Sequence, residues 1–521
     1  MTAPGPELPL GNPPFQRPRD LLRLREEDPW DLLVVGGGIT GAAVARLAAA
    51  QGHSVALVER EDFGSGTSGA SSKMLHGGLR YLAHGQVRLV REALRERAKV
   101  VRSLPPPRVR VVPFLLPLSG SFLDRIAQRA GTWVYQRWGH AAGLGPREVL
   151  SPSEARRACP LLEPSGLRGA ILYREAITDD ALLTLQRVRE AVAWGAVAVN
   201  HVEALSPTWS HGRISGAVLR DRLEGTQFPV KARQIVNATG AWGLRWLPGI
   251  RAAPLRPSKG IHLVFRRSRF PLDVAVVIPT RDRRWVFALP YGRFVILGTT
   301  DEDFTGDPDR VEPTRSEGEG LLRLANDSFP ALRLSPMDVC DAYAGLRPLV
   351  QDDRSRPGDT SREDSVSVDP RGVVTVAGGK LTTHLAMARR ALRGWERGSE
   401  AREDPPGRTA FPWKGPWGDE YSAGDLLAQL ADMAPSQRRE SLRPWIRWAV
   451  EEAGALTLVD VVERRLRPMN RNEPSFPLLV DEVVRCLVED FHWSEGSLRT
   501  QRDDYLERLR KGRAIWTQGA P

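Results

Sequence analysis

The stretch that decides the fold is DLLVVGGGITGAAVARLAAA, residues 31–50. It opens with a short apolar run, which is typical of a buried parallel strand. Gly36, Gly38 and Gly41 follow at the spacing G-x-G-x-x-G, and a helix of small residues comes next. Gly36 permits a tight turn, Gly38 lets the backbone approach a pyrophosphate, and Gly41 lets helix and strand pack closely. The stretch therefore predicts the first unit of a dinucleotide-binding domain.

An acidic residue at the end of the second strand supports this prediction. The strand is expected over residues 54–58, and Glu59 follows it. Glu59 stands about 20 residues beyond the glycines, where a carboxylate can accept hydrogen bonds from both ribose hydroxyls. Arg60 comes next and could pair with a 2′-phosphate, but Glu59 argues against NADP. The N–H groups at the start of the helix, at Ile39 and Thr40, would face the phosphates.

A loop rich in hydrogen-bond donors narrows the choice of dinucleotide. Residues 63–73 read FGSGTSGASSK, a polar and flexible run close behind the glutamate. An NAD-binding domain would usually continue with another helix and strand at this point. A donor-rich loop suits a larger, permanently held dinucleotide, so the expected cofactor is FAD.

The residues that follow carry a family resemblance. MLHGGLRYL at 74–82, with Gly66, Thr67 and Ser68 before it, resembles the FAD-dependent glycerol-3-phosphate dehydrogenases, a branch of the D-amino-acid-oxidase-like flavoproteins. The resemblance extends from about Asp31 to about Leu509. It implies an α/β fold with three parts: a discontinuous Rossmann-like FAD-binding domain, an antiparallel β-sheet substrate domain and a C-terminal α-helical domain.

Local patterns divide the chain in a way that fits this fold. Strands at 261–265, 275–278, 285–289 and 294–299 have the period-2 pattern of an antiparallel sheet. A strand at 373–377, a glycine turn and a helix over 381–395 place a second helix N-terminus near the ligand. The predicted segments are a leader at 1–30, the FAD-binding domain at 31–107, 176–254 and 341–396, a substrate-side excursion at 108–175, the substrate sheet at 255–340, a linker at 397–421 and the helical domain at 422–521.

Composition bounds the partners and the compartment. The chain has 521 residues and a net charge of +11, which favours anionic partners such as phosphorylated substrates, acidic lipid or nucleic acid. Its three cysteines form no CxxC motif, and its nine histidines show no ligand spacing, so no metal site is expected. We found no signal peptide and no transmembrane stretch. The expected location is cytoplasmic, with any membrane contact peripheral and on the inner face of the cell membrane.

One predicted helix leaves two interpretations open. Residues 122–138 mix phenylalanine, isoleucine and tryptophan with Arg125, Arg129 and Arg137. A basic amphipathic helix with interfacial aromatic residues can lie on an anionic membrane surface. Alternatively, it packs on its own domain, which is the commoner role of such helices.

The family resemblance also implies a reaction. The substrate would be sn-glycerol 3-phosphate, oxidised to dihydroxyacetone phosphate by hydride transfer to flavin N5, with electrons passed onward to a quinone. Such a step needs a base for the hydroxyl proton and cations that hold the phosphate. By resemblance, His262 is the candidate base, because its reference pKa lies near neutral, and Arg347 would orient the hydroxyl. Which of the two accepts the proton stays open.

The remaining site residues are carried over in the same way. Arg80, Tyr81, Arg362 and Lys380 are expected to bind substrate, although the sequence around Arg362 matches the family loosely. Leu182 stands where many relatives have arginine, so nothing is assigned there. The predicted cofactor-binding residues are Gly36, Gly38, Ile39, Thr40, Gly41, Glu59, Arg60, Thr67, Ser68, Ser72, Lys73, His76, Gly77, Val202, Thr239, Gly240, Gly379, Lys380, Leu381 and Thr382.

Other functions remain compatible with the same motifs. A glycerol-3-phosphate oxidase would use oxygen as the acceptor and release hydrogen peroxide. A tRNA-modifying FAD protein would account for the positive charge, but it would be expected to have an RNA-binding patch and catalytic cysteines in a motif. A non-catalytic flavin-binding protein is the third alternative. We expect no nucleic-acid partner, and the sequence leaves open a homodimer.

Overall fold

The computed structural model describes residues 15–27, 29–83, 85–104, 108–118, 121–139, 143–163, 166–280, 284–351, 364–395, 430 and 433–517. Arg362 and the predicted linker at 397–421 lie outside these ranges.

The described helices and strands follow the predicted order. The strands are β1 Trp30–Val35, β2 Val55–Val58, β3 Met74–Leu75, β4 Val109–Pro117, β5 Glu148–Leu150, β6 Ala170–Thr178, β7 Val197–Val199, β8 Val202–Ser210, β9 Arg213–Asp221, β10 Gln227–Asn237, β11 Leu255–Arg266, β12 Ala275–Pro279, β13 Trp285–Tyr291, β14 Phe294–Gly298, β15 Glu302–Asp303, β16 Val339–Val350, β17 Asp364–Asp369 and β18 Val373–Gly378. The α-helices are α1 Arg17–Glu26, α2 Ile39–Ala50, α3 Leu79–Ala83, α4 Val87–Ser103, α5 Phe122–Gly139, α6 Pro152–Ala158, α7 Asp180–Ala193, α8 Arg315–Ser328, α9 His384–Trp395, α10 Pro435–Arg447, α11 Phe476–Phe491 and α12 Glu495–Thr517.

A parallel sheet forms the predicted dinucleotide-binding part. Its strands lie in the order β17-β18-β10-β1-β2-β7, with β17 antiparallel at one edge. The alternation along β1 explains how both faces are covered. Leu32 and Val34 belong to the same buried cluster as the apolar side of α2, whereas Leu33 and Val35 pack with residues of α1 and the β8–β9 hairpin. The sheet is therefore buried on both sides, as its continuous apolar strands predict.

One strand is longer than the sequence indicates. The sequence pattern predicts a hairpin arm at 227–231 and a separate strand from Gln234, but β10 runs through both. Its first half pairs antiparallel with β9, and its second half pairs parallel with β1. The backbone stays extended throughout, and only the pairing partner changes along it, so the arm and the strand form one element.

A larger, mostly antiparallel sheet forms the second layer. Its order is β15-β11-β14-β13-β12-β4-β6-β3, with β16 also paired to β11 and β5 to β6. The predicted antiparallel strands at 261–299 are confirmed. Strands from the predicted excursion at 108–175 belong to the same sheet, because β4 pairs parallel with β12 through Ala275 and Phe114. The strand β16, predicted within a cofactor segment, also lies in this layer.

The C-terminal region is helical, as predicted, and packs on the parallel sheet's side of the molecule. Residues of α10, α11 and α12 share one buried apolar cluster with α2, α7 and α9. Residues 457–460, Thr-Leu-Val-Asp, have the pattern of a capping box with aspartate in the glutamate position, and the structure forms it: the Thr457 N–H donates to Asp460 Oδ2 at 3.0 Å, and the Asp460 N–H donates to Thr457 Oγ1 at 3.2 Å. These reciprocal bonds satisfy amide groups that a helix start would leave unpaired.

Two glycines allow the backbone to cross at the end of β1. Gly36 has φ +108°, and a Cβ there would lie 2.5 Å from the carbonyl oxygen of Ala238. A Cβ at Gly41 would lie 1.9 Å from the carbonyl oxygen of Gly36. Both neighbours are backbone atoms, which cannot swing aside as a side chain would. The turn that opens the cofactor site therefore requires glycine at both positions.

We expect Gly41→Ala to destabilise the protein strongly, since the added methyl overlaps backbone. Overpacking of this kind costs roughly 1–3 kcal/mol of unfolding free energy or more. The matched control is Gly131→Ala in α5, where a Cβ meets no atom within 4 Å. That change should stabilise the helix by about 1 kcal/mol or less. Urea unfolding of both variants measures the effects; equal stabilities would contradict the assigned crossing.

Candidate active site

A cavity of about 2080 Å³ opens at the carboxyl end of the parallel sheet. Its floor is the turn after β1, and its walls include the loop at 65–73, the β10 end and the C-terminal helices. Ligands of open α/β sheets bind at this edge. The predicted cofactor residues that line the cavity are Gly36, Gly38, Ile39, Thr40, Glu59, Arg60, Thr67, Ser68, Lys73, Val202, Thr239, Gly240, Gly379, Lys380 and Leu381.

The predicted residues Gly41, Ser72, His76, Gly77 and Thr382 are not among those lining residues within the described chain. Gly41 acts through the backbone crossing, and Ser72 contacts His262. The His76 N–H donates to Thr382 Oγ1 at 3.1 Å, which ties the two glycine turns together. The Gly77 N–H donates to the Tyr135 hydroxyl at 2.7 Å. These residues therefore contact other parts of the chain and do not line the cavity themselves.

The cavity has the volume and the hydrogen-bonding groups that an FAD dinucleotide needs. Gly38 lines the cavity at the N-terminus of α2, where a pyrophosphate can approach the backbone, and the crossing at Gly36 and Gly41 places this turn there. Glu59 is held in place by the N–H groups of Gly37, at 2.6 Å, and Glu61, at 2.9 Å. Burial raises the pKa of Glu59, against the lowering by these backbone donors. Glu59 also keeps acceptor capacity for ribose hydroxyls.

Arg60 has a different environment from the one that the sequence suggests. Its guanidinium pairs with Asp309, from the loop between β15 and α8, and lies 5.2 Å from the centre of the Trp242 ring. The Trp242 indole N–H donates to Asp309 Oδ1 at 2.7 Å. Arg60 thus lines the cavity with its charge already paired, which weakens the case for a 2′-phosphate. Asp309 and Trp242 were not singled out from the sequence.

The antiparallel sheet presents a polar face beside the same cavity. Ser258, Gly260 and His262 alternate along β11, opposite Arg347, Gly345 and Tyr343 of β16. Side chains two residues apart point to one side of a sheet, so all six positions share a face. A Cβ at Gly260 would lie 2.4 Å from Arg347 Nη2, and one at Gly345 would lie 2.7 Å from the Ala70 carbonyl oxygen. The paired glycines make room for the guanidinium and for the cofactor-side loop. This alternation is the signal by which the pairing of β11 with β16 could have been found in the sequence.

His262 is buried between the loop and the sheet. Its Nε2 lies 2.8 Å from Ser72 Oγ, and its ring stacks on Tyr343 with centroids 4.7 Å apart. Nδ1 has no hydrogen-bond partner within the described residues. Burial, followed by the charges of Arg347 and Lys73, lowers the pKa of His262 to about 3. The reference pKa near neutral, used to choose His262 from the sequence, therefore does not hold in the folded protein, where the imidazole is neutral at pH 7.

Arg347 is fixed by a set of oxygen acceptors. Its Nη2 donates to Thr299 Oγ1 at 2.9 Å and to the Thr300 carbonyl at 3.1 Å, while Nη1 lies 3.2 Å from Asp301 Oδ1. Ser258 donates to the same Asp301 carboxylate. These contacts place a positive charge close enough to lower the pKa of His262. Asp301 and Thr299 are supporting residues that the sequence did not single out.

The expected phosphate-binding residues form a second group. Lys380 Nζ lies 3.9 Å from the centre of the Tyr81 ring, and the Arg80 guanidinium lies 5.6 Å from it. Lys380 lines the cavity, as does Tyr343 beside His262. The phosphate-binding group therefore reaches the cavity through Lys380, and the His262 group reaches the same cavity through Tyr343. The structure brings Arg80, Tyr81 and Lys380 together; Arg362 lies outside the described residues.

Comparison with known proteins identifies the family. Residues 31–392 match the family model described as FAD dependent oxidoreductase.

The chain belongs to the FAD-dependent oxidoreductase family.

Several members of the family are similar over most of their length. The glycerol-3-phosphate dehydrogenase 2 of Mycobacterium bovis is 37% identical over 534 aligned positions, covering 95% of this chain and 90% of that protein. The glycerol-3-phosphate dehydrogenase of Mycobacterium leprae is 35% identical, covering 84% and 81%. The solved structure of glycerol-3-phosphate dehydrogenase from Bacillus halodurans, complexed with FAD, is 28% identical with a TM-score of 0.75, covering 98% and 100%. Within this family, FAD is the cofactor of the chain and the predicted fold class is confirmed.

The low pKa of His262 predicts how stability varies with pH in this oxidoreductase. Between pH 6.5 and about 3 the unfolded chain binds a proton that the folded protein does not. The stability linked to His262 is therefore complete above pH 6.5 and is lost as the pH falls. From pH 7.5 to 5.0 we expect this group to remove roughly 2 kcal/mol.

Urea unfolding at the two pH values measures the effect. The His262→Gln variant should lose less stability on acidification than the wild type. His211→Asn replaces an exposed histidine with φ +49°, which asparagine tolerates, and should follow the wild type. Identical pH dependence in all three proteins would contradict the burial of a neutral imidazole.

Proposed function

We propose that this protein oxidises sn-glycerol 3-phosphate to dihydroxyacetone phosphate and passes the electrons to a quinone. The observation that carries the proposal is the polar face of β11 and β16, where His262 and Arg347 share one side of the sheet with Tyr343 and Gly345, which line the cavity. The names of relatives that are 35% and 37% identical over most of the chain support the same substrate. FAD, when bound, accepts the hydrogen and electron pair that leave the alcohol carbon.

Several residues would hold that cofactor. The N-terminus of α2, with Gly38 and Thr40, would face the pyrophosphate, and Glu59 would accept from the ribose. The turn Gly379–Leu381 leads into α9 and brings a second helix start to the cavity. Its positive dipole end favours negative charge near the ring system. Ser68 supports the first turn by accepting from the Ile39 N–H at 2.9 Å.

Cations would bind the phosphate of the substrate. Lys380 and Arg80 both lie near the Tyr81 ring and supply charge, with Arg80 able to bind phosphate through two N–H groups. Arg362, assigned by resemblance, would be a further phosphate ligand. A substrate held by its phosphate presents its alcohol end in a fixed orientation, which lowers the entropic cost of reaction.

The two catalytic residues would divide their roles by charge. The Arg347 guanidinium stays protonated, so it would stabilise the developing alkoxide and not accept a proton. His262 is neutral and its buried Nδ1 has no hydrogen-bond partner among the described residues, so it is the acceptor that we favour. A low pKa makes it a weak base, and the negative charge of the bound substrate would raise that pKa.

No observation favours the RNA-modifying alternative. Cys159, Cys340 and Cys486 are buried and form no pair. Burial raises the pKa of Cys159 and Cys486 to about 11 and holds that of Cys340 well above its usual value, so each thiol is protonated at neutral pH. The nucleophile is the thiolate, which these sites disfavour.

The decisive experiment mixes the FAD-loaded protein with glycerol 3-phosphate without oxygen. Wild type should lose its yellow absorbance within seconds. His262→Asn should bind FAD but be reduced at least about 100-fold more slowly, the usual contribution of a general base. His211→Asn, on an exposed turn, is the matched control and should react like wild type.

Each arm separates the alternatives. A flavin that stays oxidised with glycerol 3-phosphate would contradict the proposed reaction and favour a flavin-binding protein without this activity. Full speed in His262→Asn would remove His262 as the base. In air, peroxide released in proportion to substrate consumed would favour the oxidase, whereas reduction of an added ubiquinone analogue without peroxide supports the quinone.

A quinone dissolved in the membrane could be reached if the protein docks on the membrane surface. The exposed side of α5 is suited to such docking. One side of this helix packs inward through Tyr135 and Gly139, as one interpretation of the sequence requires. The other side exposes Phe122, Leu123 and Trp133, at 68%, 75% and 61% of their surfaces. We propose that this side docks on an anionic membrane, because the arginines of the same helix complement acidic lipid. No helix in the described part of the chain is long and apolar enough to span a bilayer.

Flotation with vesicles of phosphatidylglycerol tests this docking. The double variant Phe122→Ser and Leu123→Ser should bind about tenfold or more weakly, because burial of two such side chains contributes roughly 2–3 kcal/mol or more. Leu478→Ser removes an apolar side chain that is 52% exposed on α11 and should not change binding. Unchanged flotation of the double variant would show that α5 is not the docking face.

A further inference from the structure

A short C-terminal segment reaches across to the cofactor half of the molecule. Residues 460–471 include a π-helical turn, Asp460–Leu466, that follows the capping box. Their side chains meet well-separated points of the chain. The charged pairs are Asp460 with His201, Arg465 with Asp62, Arg467 with Asp180, and Arg471 with Asp341. All four partners are buried. The segment therefore binds several distant parts of the chain near the cavity through buried charge pairs.

Arg467 makes the most direct contact with the cofactor-side loop. It has φ +54° at the end of the π-helical turn, which turns its side chain towards the cavity that it also lines. Nη2 lies 2.5 Å from Asp180 Oδ1, Nη1 donates to the Gly69 carbonyl at 3.2 Å, and Nε lies 3.3 Å from Asp179 Oδ2. The planar fork of arginine reaches these acceptors at once, whereas a lysine ammonium is a single point of charge.

Asp180 links Arg467 to the loop, because it also accepts hydrogen bonds from Ser71 and Lys73. It has no exposed surface, and its Oδ2 accepts from the Ser71 N–H at 2.9 Å and from Ser71 Oγ at 2.7 Å. Its Oδ1 also accepts from Lys73 Nζ at 2.9 Å. Burial opposes its ionisation, but Lys73 and Arg467 outweigh burial and lower the pKa of Asp180 to about 2. The carboxylate is therefore charged at neutral pH and binds two cations and the loop backbone together.

Ser72 lies between two residues that are bound to Asp180, and it contacts the candidate base His262. Ser71 and Lys73 are both held by Asp180, and Lys73 has the unusual backbone angle φ +59°. Ser72 lies between them and places its Oγ 2.8 Å from His262 Nε2. The Tyr343 hydroxyl donates to the Ser71 carbonyl at 3.0 Å from the opposite side. The position of Ser72 thus depends on anchors from three distant parts of the chain.

We propose that Arg467 is a positioning residue for the loop at 69–73. Through Asp180 it holds the turn that carries Ser72 against His262 and that lines the cofactor cavity. The C-terminal helical region would thereby shape the redox site although it lies far away in sequence. The part that concerns His262 rests on the proposed function, whereas the part that concerns FAD does not.

The test compares Arg467→Gln, Arg467→Lys and the control Arg499→Gln. Arg499 belongs to the same region, but its pair with Glu495 is exposed at 70% and 59% of the two side chains. We measure FAD release by flavin fluorescence, anaerobic flavin reduction by glycerol 3-phosphate, and thermal unfolding. Arg467→Gln should release FAD about tenfold faster and be reduced about tenfold more slowly, the effect of losing one charged hydrogen bond.

The remaining variants separate positioning from stability alone. Arg467→Lys keeps a charge beside Asp180 and should recover at least half of the loss on a logarithmic scale. A lower unfolding temperature of Arg467→Gln with FAD release and reduction like those of Arg499→Gln would overturn the proposal. If Arg467→Gln does not fold, Ser71→Ala removes one loop bond to Asp180; reduction and FAD release at wild-type rates would then overturn it.

FAD release needs no substrate, so it separates this proposal from the proposed function. If glycerol 3-phosphate fails to reduce the wild type, the reaction is wrong, yet faster FAD release from Arg467→Gln still supports the positioning of the loop. If the wild type is reduced and the Arg467 variants match the control, the reaction stands and the positioning role fails.

Discussion

The cofactor site depends on the crossing of backbone over backbone at the end of β1. Gly36 passes the carbonyl of Ala238, and Gly41 lets α2 begin against the carbonyl of Gly36. Without this crossing, α2 could not start close enough to β1 and β10 for its free N–H groups to face a common opening. The cavity, the parallel sheet and the position of Glu59 all follow from it, because β2 returns beside β1 and ends at the same edge.

The antiparallel sheet lies beside that edge and presents mainly side chains, whereas the edge itself presents mainly backbone. The floor of the cavity consists of backbone amides and glycines, whereas the β11–β16 face presents His262, Arg347 and a paired-glycine gap. Burial keeps the imidazole neutral and the nearby cations reinforce this effect. The proposed oxidation would use this arrangement, with cations at the substrate phosphate and an uncharged imidazole as the proton acceptor.

Buried charges join the C-terminal helices to both layers. Asp62, Asp180 and Asp341 lie in the cofactor half and the sheet, and each pairs with an arginine of the segment 465–471. Removing one partner of a buried pair leaves an uncompensated charge, which costs about 3–5 kcal/mol. The helical region is therefore committed to one orientation, and its arginines act as fixed points for loops that would otherwise adjust independently.

Local patterns in the sequence were enough to predict the parallel unit, the cofactor class and the order of elements. Glycine spacing, apolar runs and Glu59 depend on contacts between near neighbours, so their meaning can be inferred from local pattern. The antiparallel strands and the 457–460 capping box were predicted for the same reason. The residues expected from the family resemblance also fall mostly around one cavity, although their individual roles remain predictions.

The surroundings of those residues are visible in the folded chain and not in the sequence. It showed that β10 serves two pairings, that Asp309 neutralises Arg60, and that His262 is buried beside cations with a pKa far below its reference value. It also joined Arg467 to Asp180 across the chain. Desolvation and charge pairing depend on what surrounds a group in space, and residues hundreds of positions apart leave no periodic pattern that a single sequence could reveal.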